Sequence, residues 1–174
     1  LIYLENIGED YAYWDDTKAF VLGDLPNYLD QFTPSTLSNI QVHWFAILNN
    51  QAEVLFSQMT NWENDANTLE APADLMGNFA PGSPLLDHPD DKAIYSGFLV
   101  GNRRAVAFAA LPILDNSGAG ESVGTLVFAR WIDQDYAAEL SEKLEIPVEI
   151  QVINPPSSAT NIEGIDVLVL DDHQ

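Results

Sequence analysis

The chain has 174 residues, 47% of them apolar, which suffices for one domain with a real core and is short for two. Its 27 acidic residues against 6 basic ones give a net charge of −21, a surface that repels nucleic acid and anionic membrane alike. There is no cysteine, so disulfides and thiolate metal sites are excluded, and aromatics at 10% argue against disorder.

The acidity has two readings. One is solubility in salty surroundings, where screening removes self-repulsion. The other is recruitment of cations or a basic ligand. The longest apolar run, Ala105 to Leu114, contains Pro112 and falls short of the ~18–20 residues of a membrane span. The chain opens at Leu1 without a basic leader. It is read as an excised fragment of a longer protein; if that parent is a membrane protein, its spanning helices lie outside this stretch.

In chain order, Tyr3 to Leu22 predicts one long helix ending at Gly23, with large apolar residues recurring at Leu4, Ile7, Tyr11, Trp14 and Val21. A neighbouring stripe, Gly8, Ala12, Asp15 and Ala19, is small around one carboxylate, so the helix is expected to lie close on a sheet with Asp15 in that contact. Asp24-Leu25-Pro26 reads as a cap and first turn of a short helix through Tyr28, and Pro34 to Leu37 as another. Ile40–Leu48 and Ala52–Met59, separated by Asn49-Asn50-Gln51, form a hairpin pattern. Thr60 to Asp91 is polar and Pro-rich. Helical turns at Ala73–Phe79 and Ser83–Asp87 are expected to lie across a sheet face, burying Leu75, Met76, Phe79, Leu85 and Leu86.

Strands are then expected at Ile94–Val100, Ala105–Ile113 and Val123–Ile132. A helix capped by Asp133 and a last core strand, Val148–Ile153, follow. The domain is therefore placed at residues 1–153. Residues 154–174 are a linker and tail in which Ile165–Leu170 is a candidate extra edge strand. The fold class is α+β: an antiparallel sheet of roughly five strands with helices on one side, PAS-like or Cache-like.

The words Asp10-x-Ala12-x-Trp14-Asp15-Asp16 and Gly124-x-Leu126-Val127-x-Ala129-Arg130-x-Ile132-Asp133, with Leu111-Pro112-Ile113 between them, resemble the fourth class of CHASE domains over roughly Ile7 to Val152. Lys18 stands where that family usually has an aromatic residue, and Ala129 and Gln51 where it often has Gly. The resemblance implies a PAS-like sheet with a long N-terminal helix. It also implies an extracytoplasmic sensory module, periplasmic or extracellular, of a prokaryotic membrane receptor. Such receptors feed a diguanylate cyclase, phosphodiesterase or histidine kinase.

Candidate ligand-binding residues are Trp14, Asp15, Tyr95, Phe108 and Arg130. Trp14 and Asp15 are placed between helix and sheet, where a buried carboxylate must be paired. The competing reading is structural: Asp15 pairs with Arg130 and locks the helix down. Arg130 alternatively grips a ligand carboxylate with its planar fork. Arg103 and Arg104 fall in a turn and read as solvated. Tyr95 and Phe108 are the preferred lining of an apolar pocket wall. Trp14 is taken as core, so Trp14→Ala is expected to cost on the order of 3 kcal/mol.

The 3 histidines lack metalloprotease spacing, and His88 among Asp87, Asp90 and Asp91 reads as part of a solvated acidic loop rather than a metal site. There is no nucleophile elbow or P-loop, and Asp15 and Asp16 diverge on a helix, so no catalytic residue and no enzyme is expected. No cofactor or nucleic-acid partner is expected either. The partner is an unidentified small molecule. The alternative is a ligand-independent structural or dimerisation module pairing through the N-terminal helix.

Overall fold

The computed structural model describes residues 1–60, 68–69, 73–88, 92–100 and 105–151. Its helices are α1 (Ile2–Ala12), α2 (Asp15–Leu22), α3 (Pro34–Asn39), α4 (Ala73–Met76) and α5 (Gln134–Leu144). The strands are β1 (Trp44–Asn49), β2 (Val54–Thr60), the two-residue β3 (Thr68–Leu69), β4 (Tyr95–Val100), β5 (Ala105–Pro112) and β6 (Gly124–Ile132). They form one sheet in the order β3-β2-β1-β6-β5-β4, every pair antiparallel. The β1–β2 hairpin and the β4–β5–β6 meander are those expected. Their junction is the β1–β6 pairing, in register from Trp44↔Ala129 to Asn49↔Gly124.

The central strands β1, β5 and β6 are buried almost throughout. Because side chains alternate, they feed two cores. One face presents Phe45, Ile47, Ala107, Ala109, Leu111, Leu126 and Phe128, packed under α1, the 3-10 turn Tyr28–Gln31 and α3 through Leu4, Ala12, Tyr28, Phe32 and Leu37. The other presents Trp44, Ala46, Leu48, Val106, Phe108, Ala110, Val127 and Ala129 under Leu75 and Phe79. The covering turns, α4 with 3-10 turns at Gly77–Phe79 and Pro84–Leu86, lie on one face as anticipated. The N-terminal helices occupy the other, so helices are not segregated to one side. Two fully apolar sheet faces require cover on both.

The predicted single N-terminal helix is two helices. Tyr13 leaves helical geometry and Trp14 is extended, at φ −98° and ψ 131°. An unbroken helix would send the amides of Asp15 and Asp16 to the carbonyls of Tyr11 and Ala12. Instead the Tyr11 carbonyl accepts from Thr17 Oγ1 at 2.6 Å, and the Ala12 carbonyl from the Leu114 amide at 3.1 Å. The Asp15 amide donates to Asn116 Oδ1 at 3.2 Å. The break exists because tertiary partners outcompete the helix for its own bonds.

Gly8 and Ala12 do bring α1 close to the sheet. A Cβ on Gly8 would stand 2.5 Å from Leu111 Cδ1. Gly23, at φ 88°, ends α2 as expected, and Thr33 and Asp133 cap α3 and α5 by accepting from Thr36 N and Tyr136 N. Among the described residues Asp24 makes no capping bond, and the following turn starts from Asn27. Residues 148–151 are not a strand, which corrects that part of the expected last core strand. They run beside α5 instead, where Gln134 Nε2 donates to the Ile150 carbonyl at 2.7 Å and the Val148 amide to Ser141 Oγ at 2.8 Å. The remainder of that strand, the linker, Ile165–Leu170, Arg103, Arg104, Asp90 and Asp91 lie outside the described residues.

Candidate functional site

The sheet face under α4 and its following turns carries an aromatic wall with a polar end. Phe79 descends edge-on between Trp44, at 5.5 Å and 75°, and Phe108, at 5.9 Å and 84°. Gly97 faces Phe108 across β4–β5, leaving room for its ring: a Cβ there would meet Phe108 Cε1 at 3.5 Å. Trp44 Nε1 donates to Ser57 Oγ at 3.1 Å, so this indole is satisfied.

At the end where β4 begins and β6 begins, the wall turns polar. His88 lies half-buried against Tyr95, ring centroids 5.6 Å apart. Its Nδ1 is 2.6 Å from the Ala93 carbonyl and its Nε2 is 3.0 Å from Oγ1 of Thr125, a residue only 2% exposed. A carbonyl only accepts, so Nδ1 carries the proton and neutral Nε2 accepts from the Thr125 hydroxyl. Tyr95 Oη donates to the Asp87 carbonyl at 2.7 Å. Burial pushes His88 below its ordinary value, against the Ala93 carbonyl and Asp87, which favour the charged form.

The sequence-derived site residues therefore fall in three places. Tyr95 and Phe108 share this covered face. Trp14 and Asp15 sit on the opposite side at the break between α1 and α2. Trp14 is 39% exposed rather than core, edge-on to Tyr11 at 5.5 Å. Asp15 is exposed too, and its carboxylate accepts from Asn116 N at 2.9 Å and Asn116 Nδ2 at 2.8 Å. Beside it Lys18 pairs with Asp115 at 3.2 Å.

Arg130 is at the far end of the sheet, 8% exposed. Its Nη1 donates to Gln41 Oε1 at 3.0 Å, Nη2 pairs with Glu139 of α5, and its guanidinium lies over Tyr136 at 4.9 Å. The anticipated Asp15–Arg130 lock is thus absent: each has its own partner, the β5–β6 loop for one and α5 for the other. Both contacts fasten elements to the sheet, by different pairings than the residue types suggested.

The expectation that His88 belongs to a solvated acidic loop is corrected, since its ring is half-buried and bonded at both nitrogens, and Thr125 was not among the residues singled out from sequence. Nothing in Asp87-His88-Pro89 distinguishes a buried imidazole from a solvated one, since its partners are 5 and 37 residues away. A separate shallow groove of about 420 Å³ lies on the outer surface between Asp16, Leu25, Asn27, Tyr28, Asp30 and Gln31, away from the covered face. Among the described residues no group of three His, Asp or Glu side chains could hold a metal ion.

Residues 1–151 match the CHASE4 domain family. The chain belongs to the CHASE4 family. CHASE domains are extracytoplasmic sensory domains of membrane receptors, and among the described residues of this CHASE4 domain no helix is long and apolar enough to cross a membrane. It is 24% identical over 172 residues to the methanogenesis regulatory histidine kinase FilI of Methanothrix harundinacea (strain 6Ac), covering 97% of this chain but only 19% of that kinase.

Among solved structures it resembles a domain of a putative sensory box/GGDEF family protein from Vibrio parahaemolyticus, with TM-score 0.50 and 8% identity, covering 79% of this chain and 55% of that one. A likeness to the sensor domain of the V. cholerae histidine kinase DctB has TM-score 0.47 and 13% identity, over 74% of this chain and 48% of that one. The likeness to the Vibrio parahaemolyticus domain is one of fold.

Proposed function

We propose that this CHASE4 domain is the non-catalytic, ligand-sensing input of a prokaryotic transmembrane receptor. Its small-molecule ligand is received on the sheet face beneath residues 73–88. The observation that carries this reading is the His88–Thr125–Tyr95 group at the end of an otherwise apolar aromatic wall. Few polar groups on an apolar wall are the usual make-up of a small-molecule site.

Phe108 and Tyr95 would line the site, with Tyr95 Oη and the His88–Thr125 pair setting orientation. Trp14, Asp15 and Arg130 would act less directly, by holding the N-terminal helices and α5 to the same sheet. A shift of the covering turns would then bias two arrangements of α1 against β5. The output is proposed to be a histidine kinase, as in the relative of which this chain spans about a fifth, or a cyclic-dinucleotide enzyme.

The test is a thermal-shift screen of the 174-residue chain with amino acids, organic acids, polyamines and divalent cations at low and high salt. A ligand at 100 times its Kd adds about 2.7 kcal/mol and raises the midpoint. That rise should shrink in Tyr95→Phe and His88→Gln. A second reading, a dimerisation module, is favoured by the exposure of Ile2 (73%) and Tyr3 (46%) on α1. A screen without hits, together with a midpoint that climbs with protein concentration, would select it over the sensor.

A further inference from the structure

The aromatic wall of the covered face is filled by a ring from its own cover. Phe79, 2% exposed, comes from the 3-10 turn Gly77–Phe79 and stands between Trp44 and Phe108. Those two belong to one row across the sheet, Trp44–Ala129–Phe108–Gly97, in which the small Ala129 separates the large rings. The notch over Ala129 is therefore the size of a ring, and Phe79 occupies it. Phe79 is flanked by Gly77 and Gly82, the latter at φ 85°, a conformation open to glycine at no steric cost. A movement confined to this short turn takes the ring out of the notch without breaking a strand pairing.

The next row along the same face ends in Tyr95, roughly 7 Å away. The row after it contains Thr125, the partner of His88. At this end the side-chain protons are already in use. His88 Nδ1–H goes to the Ala93 carbonyl, the Thr125 hydroxyl to His88 Nε2, and the Tyr95 hydroxyl to the Asp87 carbonyl. What Tyr95 and Thr125 still offer is oxygen lone pairs. A ligand atom arriving here must donate. A carboxylate, which only accepts, would set lone pairs against lone pairs.

Net charge is disfavoured for a second reason. The strand residues that alternate onto this face, from Tyr95 to Leu99, Val106 to Ala110 and Thr125 to Trp131, are all uncharged. Asp87 presents its carbonyl to Tyr95 and is itself exposed. An ion on this wall would lose its hydration without a counter-charge from these strands. We propose, resting on the sensor reading of this face, that its ligand is a small neutral aromatic molecule with an O–H or N–H donor. It displaces the Phe79 ring from the notch and donates to the Tyr95 oxygen.

Titrations of the 174-residue chain followed by ligand-observed NMR test this, with phenol against toluene, benzoate and benzylamine. Toluene lacks the donor, and the other two carry a charge of either sign. Phenol is expected to bind at least about fivefold tighter than each, the usual net worth of one hydrogen bond. Tyr95→Phe keeps the ring and should cancel the preference over toluene. Displacement should appear as faster backbone exchange at 77–79 when phenol is bound. Phe79→Ala empties the notch in advance and should bind phenol at least about tenfold tighter. If that variant does not fold, Phe79→Leu takes its place with the same expected direction. A preference that survives Tyr95→Phe would overturn the proposal, as would tighter binding of benzoate or benzylamine. So would phenol binding to the Phe79 variant but not to the natural chain, since Phe79 would then be a fixed core ring. A charged compound from the wider screen whose binding weakens in Tyr95→Phe would overturn the ligand class and leave the sensor reading standing. Silence of the natural chain to phenol and to every screened compound would end both.

Discussion

Two side chains show how burial sets the consequence of a residue. Trp14 is large and aromatic, yet it sits at the N-cap of α2 with part of its ring in water and one edge contact to Tyr11. Its removal forfeits a partly exposed aromatic pair rather than a core ring. Trp14→Ala is therefore expected to cost about 1 kcal/mol in urea unfolding, well below the loss expected of a core tryptophan. His88 is the opposite case, a polar residue placed inside. Folded, it stays neutral with its pKa depressed below 6.5; unfolded, it takes up a proton near 6.5. As pH falls through that value the unfolded state binds more protons than the folded state, and stability drops until the lower folded pKa is reached. Unfolding free energy should therefore decline as pH falls through 6.5, and His88→Gln should flatten that part of the profile measured by urea titration.

At the scale of elements, the structure depends on two joints. The break between α1 and α2 is held by Leu114 and Asn116, residues just beyond β5, so the N-terminal helices and the β5–β6 loop form one mechanical unit. The seam between hairpin and meander is tighter still. Gly124 opposes Asn49, and a Cβ there would stand 2.2 Å from the Leu48 carbonyl oxygen. Backbone cannot swing aside as a side-chain tip can. Gly124→Ala is expected to destabilise by about 3 kcal/mol, read as a lower denaturant midpoint with the slope unchanged. Gly8→Ala, which meets a leucine methyl, is the milder comparison.

For the whole molecule, the net charge of −21 is carried on a small domain whose core is ordinary and whose ion pairs are few among the described residues. Self-repulsion is then a standing cost of the compact state. Raising salt from about 0.01 M to 1 M shortens the screening length roughly tenfold. The thermal midpoint should rise by about 5 °C or more over that range, and a calorimetric salt series would reveal it. The same acidity places the polar chemistry of the covered face in a setting where free cations compete, so ligand screens at both ends of the range are informative.

Much was legible in the chain itself. Period-two runs located β1, β2, β4, β5 and β6, and local chemistry placed the stop at Gly23 and the cap at Asp133, because those features depend on neighbours within a few residues. The D-x-A-x-W-D-D and R-x-x-D words carried the family. What they do was not legible. Asp15 and Arg130 look like partners because each is a charge in an apolar setting, but charge type says nothing about distance. Asn116 and Glu139 are the actual partners. The helix break at Tyr13 has no glycine or proline to announce it; it arises from acceptors claimed by Thr17 and Leu114. His88 acquires its buried, neutral state from Ala93 and Thr125. Sequence determined which segments are strand, helix and turn, since those rest on short-range sterics and periodicity. Only the tertiary structure decided which face each side chain met and which hydrogen bonds won, because those are competitions between groups far apart in the chain.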